Sequence, residues 1–315
     1  MQNLLHRLKP YLLPPGKLPG FLPAGSAADA LMPVLWSKVM PFVRRQNARF
    51  DNILFLSGHC NVCGIFTAFF YKEITLSRES LTCSVCLTTS RYRSIARGIL
   101  RAVKDLTQVE APSFASLRKT KINTPVRIYD TQMPFYFRTC SYPLPDLLAS
   151  IPNFEVYLSR FRPQEPLGKK LSGAPNLTNQ NLERLTFPDA FFDVVITSDV
   201  MEHVRNDALA HAEIRRVLKP EGVYIFTVPH SRIDHDTLHR VVVHDPNDSD
   251  KDEFVLEKEF HGDANDPENA ALSYRVFGTE LDETLTRLGF TVDYTNQSFP
   301  ELGILNTELF YCRKF

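Results

Sequence analysis

Four of the six cysteines stand as Cys60, Cys63, Cys83 and Cys86, a C-x2-C-x19-C-x2-C pattern. Each C-x2-C pair can make a tight turn that aims two sulfurs at one point, and four thiolates closing a tetrahedron is what structural zinc prefers. Protein ligands then fill every position, so the expected role of the metal is to stabilise a segment too short to bury its own core. An iron centre or unpaired thiols are the alternatives, and a redox pair fits less well because neither pair sits in a strand-then-helix context. His59 adjoins Cys60, but the set of four is complete without it.

A second group able to do chemistry lies further along: Ser198-Asp199-Val200, His203, His230, and, in a polar stretch, His261-Gly262-Asp263. Imidazole titrates near neutrality, so His203, His230 and the His261 and Asp263 pair are candidates for moving a proton. The run from Ile233 to Glu259 carries His235, His239, His244 and several aspartates, but no helical His pair, so a solvated loop is expected there.

The elements that must position these groups follow from periodicity. Phe192, Val194, Val195 and Ile196 form a short β-branched run suited to a strand buried on both faces, ending at polar Thr197, Ser198 and Asp199. Open α/β sheets bind ligands at such carboxyl ends. Leu209, Ile214, Val217 and Leu218 recur at helical spacing, and Pro220 with Gly222 stops that helix before the apolar run Val223 to Val228. Further strands are expected at Val126 to Tyr129, Phe154 to Leu158, Phe290 to Tyr294 and Glu308 to Cys312. Helices are expected from Ser90, ending at Leu147 to Ile151, and over Thr279 to Leu288. Residues 161–180 read as loop. The fold class is α/β, a Rossmann-like, mostly parallel sheet.

Domain organisation reads as an arm with a proline-interrupted helix over 1–50, a four-cysteine zinc-ribbon-like module with its helix over 51–108, and a linker over 109–124. The α/β domain then fills 125–315, with an insertion over 231–277. An insertion of this length in a compact domain is more often functional than idle.

The stretch from Asn181 to His230 resembles the second half of class I S-adenosylmethionine-dependent methyltransferases. The matching residues are Asn181-Leu182, Leu185-Thr186-Phe187-Pro188-Asp189, Phe192-Asp193-Val194-Val195, Glu202-His203 and Leu218-Lys219-Pro220-Glu221-Gly222. The subset with an N-terminal four-cysteine module is similar across nearly the whole chain, including Glu259 to Asp263 and Tyr274 to Gly278. The resemblance implies a seven-stranded sheet with an antiparallel last strand and S-adenosylmethionine as cofactor. It places the cofactor at Asp130, Thr131 and Gln132 after the first strand, Ser159 after the second, Asn181 and Leu182 near the adenine, and Ser198, Asp199 and Val200 after the fourth. It also turns the loop carrying His203 toward the methyl group, which makes His203 the first candidate for taking the acceptor's proton, and the insertion over 231–277 is expected to cover the acceptor site. The chain departs from the pattern where the usual glycine-rich turn reads Asp130 to Phe135 without glycine, and where the usual ribose-binding acid is replaced by Ser159-Arg160, since arginine has only donors.

With 36 basic and 36 acidic residues, there is no general electrostatic case for nucleic-acid binding. Ser90-Arg91-Tyr92-Arg93 is a local basic and aromatic group that can touch phosphate or a glycan, although exposed arginine on a polar helix side is the commoner role. No apolar run reaches the roughly 20 residues needed to span a bilayer, and no signal-peptide core is seen at the start. With cysteine usage that suits a reducing compartment, the expected location is cytoplasmic. The expected function is transfer of a methyl group to a small-molecule or glycan acceptor. The alternatives are RNA methylation, which requires a basic face running from Arg91, Arg93 and Arg97, and a catalytically silent zinc-binding protein.

Overall fold

The computed structural model describes residues 55–70, 78–136, 140–245, 248–263 and 266–315, and of 55, 262–263 and 266–269 only the backbone. The expected helix within 1–50 lies outside the described residues.

In chain order the main elements are β1 (Phe55–His59), β2 (Phe66–Phe70), β3 (Thr82–Cys83), α1 (Ser90–Thr107), β4 (Val126–Asp130), α2 (Leu144–Ala149), β5 (Phe154–Arg160) and β6 (Leu177–Asn179). There follow β7 (Phe192–Ser198), α3 (Asp207–Val217), β8 (Leu218–Thr227), β9 (Glu259–Asp263), β10 (Asp266–Ser273), α4 (Glu280–Arg287), β11 (Phe290–Thr295) and β12 (Leu309–Lys314). β1 to β3 form a small antiparallel sheet. Seven strands form the main sheet in the order β6-β5-β4-β7-β8-β12-β11. All pairings from β6 to β8 are parallel, and β12 runs antiparallel to both β8 and β11.

Strand order reverses at β4 and β7, because the chain first builds outward through β5 and β6 and then returns to the other side. Their carboxyl ends therefore flank a crevice where open sheets take ligands. The central strands need cover on both faces, and Val194, Val195, Ile196, Val223, Tyr224, Ile225 and Phe226 are all fully buried. One face packs with α1, α2 and the cysteine segment, the other with α3 and α4.

α1 lies directly on the sheet. A Cβ at Gly98 would stand 3.1 Å from Leu309 and 3.2 Å from Ile225, so glycine is what lets the helix backbone approach β8 and β12 this closely. The cysteine segment shares this core: Cys60, Val62, Phe69 and Leu81 cluster with Ile95, Ile99, Ile128 and Ile225. Residues 109–124, expected as a linker, carry a helical turn, Phe114–Leu117, capped by the Ser113 side chain, and Phe114, Leu117 and Ile122 are buried.

α3 starts as its residues dictate, with the Asn206 side chain accepting from the Leu209 amide at 3.1 Å. Its buried side is Ala210, His211, Ile214 and Val217; Leu209, expected on the apolar side, is exposed, and Leu218 already belongs to β8. The turn into β8 is held by Lys219, which reaches both oxygens of Asp193 at 2.7 and 2.8 Å. Residues 161–180, expected as loop, include β6, short and at the sheet edge.

Candidate functional site

The four cysteines lie together. Each offers a sulfur within 4.8 Å of the others, with Cys60 to Cys86 at 3.6 Å and Cys63 to Cys83 at 4.0 Å. A tetrahedron with Zn–S of about 2.3 Å puts sulfurs about 3.8 Å apart, so the set fits a zinc ion. Two matching turns build it. The Gly64 amide returns to the Cys60 carbonyl at 2.8 Å and the Leu87 amide to that of Cys83 at 3.0 Å. Both residues are left-handed, at φ of +75° and +59°, so the second turn is strained where the first has glycine. The amides of Val85 and Cys86 point at the Cys83 sulfur, each at 3.5 Å, as donors to a thiolate. His59 is exposed and packs edge-on against Phe66, apart from this set.

The arginines after the second pair depart from expectation. Arg93 is fully buried, donates to the carbonyls of Thr88, Leu81, Leu302 and Gly303, and lies over the Phe69 ring. It ties the second cysteine turn to the segment before β12. Arg91 is 8% exposed; its Nη1 reaches Ser198 Oγ at 2.6 Å and Asp199 at 3.0 Å, while Nε pairs with Glu79. Arg78 adds a second guanidinium on Asp199 at 2.8 Å. Arg97 stacks on Phe299 and Arg101 on Tyr311. Of the arginines that RNA methylation would use, Arg91 and Arg93 are buried and Arg97 is partly exposed.

At the end of β4, Asp130 is fully buried and accepts from Tyr142 Oη at 2.7 Å and the Gln132 amide at 2.9 Å. Burial pushes its carboxyl up to about 7, against which both hydrogen bonds work. Thr131 bonds through its amide to Ile196 O at 3.1 Å, joining the first loop to β7. Gln132 is buried, and its Oε1 has no hydrogen-bond partner among the described residues. Ser159, at the end of β5, bonds Tyr129 Oη at 2.7 Å. Asn181 caps its own turn by accepting from the Glu183 amide at 2.9 Å, and Leu182 packs in the core.

After β7, Asp199 adopts φ of +51° and also accepts from Thr227 Oγ1 at 2.9 Å. Burial opposes its charge, but Arg91 and Arg78 hold it below the ordinary carboxylate range. Val200 is half-buried beside it. The next turn, Met201–His203, places Glu202 inside and His203 at its edge. Burial, with Asp199 adding repulsion, raises the Glu202 carboxyl to about 8. His203 Nδ1 meets the Leu272 carbonyl at 2.9 Å, and its ring lies 5.2 Å from that of His261, edge to face.

The insertion is what brings His261 there. β9 and β10 pair as a hairpin whose second strand packs on the Met201–His203 turn. Tyr274 donates its amide to Glu202 O at 2.8 Å, and Arg275, 3% exposed, donates to the carbonyls of Met201, Val204 and Arg205. Arg205 in turn forks onto Asp252 at 2.6 and 2.8 Å. The side chain of Asp263 lies outside the described residues; its backbone pairs with Asp266. His230 packs against Tyr294 and Phe310, and burial lowers its pKa. Arg78, Glu202 and Arg275, which the sequence reading did not single out, prove central to the geometry. Only Glu202 had a local signal, its place beside His203 in the resembling motif.

Residues 159–226 match the protein family described as a methyltransferase domain. A protein of Mycolicibacterium smegmatis, described as a probable S-adenosylmethionine-dependent methyltransferase, is 39% identical over 54 residues, 17% of this chain and 21% of that protein. The chain thus spans about a fifth of the length of the curated relative it matches. Among solved structures, a methyltransferase from Methanosarcina mazei is 16% identical, with 61% of this chain and 93% of that one covered and a TM-score of 0.35. A 1,6-didemethyltoxoflavin-N1-methyltransferase from Burkholderia thailandensis is 16% identical, with 79% and 95% covered and a TM-score of 0.34. By strand order and antiparallel last strand the chain has the class I methyltransferase fold, and residues 159–226 bear the sequence pattern of that domain.

Proposed function

We propose that this protein transfers a methyl group from S-adenosylmethionine to an oxygen or nitrogen of a small-molecule or glycan acceptor. The observation that carries the reading is the pair of β4 and β7 carboxyl ends: Gln132 follows β4 with a buried acceptor that has no partner among the described residues, and Asp199 and His203 follow β7, with His261 beside His203. When bound, the cofactor supplies an activated methyl on a sulfonium, with a neutral thioether as leaving group.

The residues present suit it. Gln132 Oε1 can accept from the ammonium of the amino-acid tail, Ser159 Oγ can meet a ribose hydroxyl, and Asn181 with Leu182 can border the adenine. Asp199, fixed by Arg78, Arg91 and Thr227, holds the β7 edge in shape while leaving a carboxylate near the positive sulfonium. Methyl transfer needs little of the protein beyond alignment and removal of the acceptor's proton. The Leu272 carbonyl accepts from His203 Nδ1, which puts the lone pair on Nε2, the nitrogen suited to that proton. The insertion, clamped by Arg205 and Arg275, covers this side and limits water. The four thiolates would hold a structural zinc whose two turns set Arg78, Arg91 and Arg93 in place.

An acceptor of modest size is favoured over RNA because Arg91, Arg93, Arg97 and Arg101 are engaged internally. The test is a thermal unfolding series with S-adenosylhomocysteine. Ligand at 100 times Kd is expected to stabilise the folded state by about 2.7 kcal/mol, and adenosine diphosphate is expected to do nothing. No shift with S-adenosylhomocysteine would refute the reading.

A further inference from the structure

Glu202, His203 and His261 each place one ligand-type atom within 4.8 Å of the others, a grouping that proton removal by a single histidine does not require. Glu202 is the telling member. Its side chain is 1% exposed, one oxygen lies 3.8 Å from His203 Nε2, and the other, Oε2, is buried without a hydrogen-bond partner among the described residues. A buried carboxyl oxygen in this state takes either a proton or a cation.

Each imidazole has one ring nitrogen held on an acceptor of the protein. His203 Nδ1 donates to Leu272 O, which leaves the Nε2 lone pair on the side of Glu202. His261 Nε2 lies 3.1 Å from Glu259 Oε1, and Arg240 pairs with that same carboxylate. With Nε2 as donor to Glu259, the lone pair of His261 sits on Nδ1. Ligating histidines characteristically give their second N–H to a backbone carbonyl or a carboxylate, which fixes the tautomer and raises the ligand's basicity. Here one does each.

The donors also come from two elements that fold independently of each other in sequence. Glu202 and His203 belong to the turn after β7, while His261 arrives on β9 of the insertion. The insertion is locked to that turn by Tyr274 and Arg275, so the three side chains meet on a braced frame. Imidazole and carboxylate donors suit divalent zinc, manganese, iron or cobalt, and two histidines with one carboxylate leave coordination positions open.

We propose that Glu202, His203 and His261 bind one divalent first-row transition-metal ion, separate from the four-cysteine site. An open position on that ion would take an acceptor hydroxyl. The O–H bond breaks with the proton passing to solvent, the oxygen forms its bond to the methyl carbon, and the carbon–sulfur bond breaks to leave the thioether. This role rests on the methyl-transfer reading; the ion site itself does not. With the ion in place, His203 acts as a ligand and the ion does the work of lowering the acceptor's pKa.

The test uses the full chain with its cysteines loaded with zinc, titrated with manganese(II) and followed by loss of the free-ion paramagnetic resonance signal. Thiolates select zinc over manganese, so the titration reads the new site. One manganese per chain is expected, with affinity reduced at least about tenfold in Glu202→Gln and in His261→Ala. Cobalt(II) is the second probe and should give weak visible bands without sulfur charge transfer. No additional manganese or cobalt bound at millimolar concentration, or binding that both variants leave intact, would overturn the site. Calorimetry with S-adenosylhomocysteine is run in parallel: ion binding without cofactor binding keeps the site and rejects methyl transfer, and the converse rejects the site alone.

Discussion

Replacing Arg91 with methionine removes a guanidinium that joins the cysteine segment to the carboxyl edge of the sheet. Arg91 and Asp199 lie 3.0 Å apart with side chains 9% and 20% exposed. Breaking a fully buried pair costs about 3–5 kcal/mol, because the partner is left charged and unpaired. Asp199 would keep Arg78 at 2.8 Å and Thr227 at 2.9 Å, and a fifth of it meets water, so the expected loss falls to about 2–3 kcal/mol. Asp199→Asn strands both arginines, with Glu79 still beside Arg91, and should cost a similar amount. Because the two changes remove one contact, the double variant should lose less than the sum by about 1.5–2 kcal/mol. Urea unfolding followed by circular dichroism measures all four corners of the cycle. Additivity within about 0.5 kcal/mol would refute the argument that the segment and the sheet edge are one energetic unit.

Metal analysis should find zinc bound by the four cysteines, and Cys83→Ser or strong chelation should destabilise the whole chain, since Cys83 lies in the shared core; a chelated protein that unfolds at the same urea concentration would contradict this. His203→Ala should slow methyl transfer by roughly 10²- to 10⁴-fold while leaving the Kd for S-adenosylhomocysteine unchanged, measured by single-turnover transfer and calorimetry. His211 is fully buried against Tyr224 and Phe226, and burial lowers its pKa from 6.5 to about 4. The unfolded chain therefore binds the extra proton first, so stability should fall as pH drops below 6.5, by up to about 3 kcal/mol near pH 4. His211→Leu should flatten that slope in unfolding curves taken across the interval; an unchanged slope would show that His211 is not the group responsible.

The central strands were legible because each carries its own signal. Phe192 to Ile196 is too apolar and β-branched to be anything but a buried strand, and Pro220 and Gly222 bracket the turn into the next one. The cysteine spacing likewise foretold the sulfur cluster. What sequence could not convey were contacts across long separations. Arg78 and Arg91 meet Asp199 from 121 and 108 positions away, and nothing in Ser90-Arg91-Tyr92-Arg93 distinguishes arginines that brace a core from arginines on a surface. Residues 109–124 looked like a linker because proline, serine and lysine dominate, yet Phe114 and Leu117 anchor them in the core. The meeting of His203 with His261 depends on how the insertion folds back, which local pattern does not encode.

Calorimetric titration of the zinc-loaded protein with S-adenosylmethionine and S-adenosylhomocysteine tests the central claim most directly, because the first loop lacks the usual glycines and must bind through Gln132 and its neighbours. The account predicts one site per chain for each ligand, with affinity weakened in Gln132→Leu. Heats indistinguishable from dilution at millimolar ligand would contradict it.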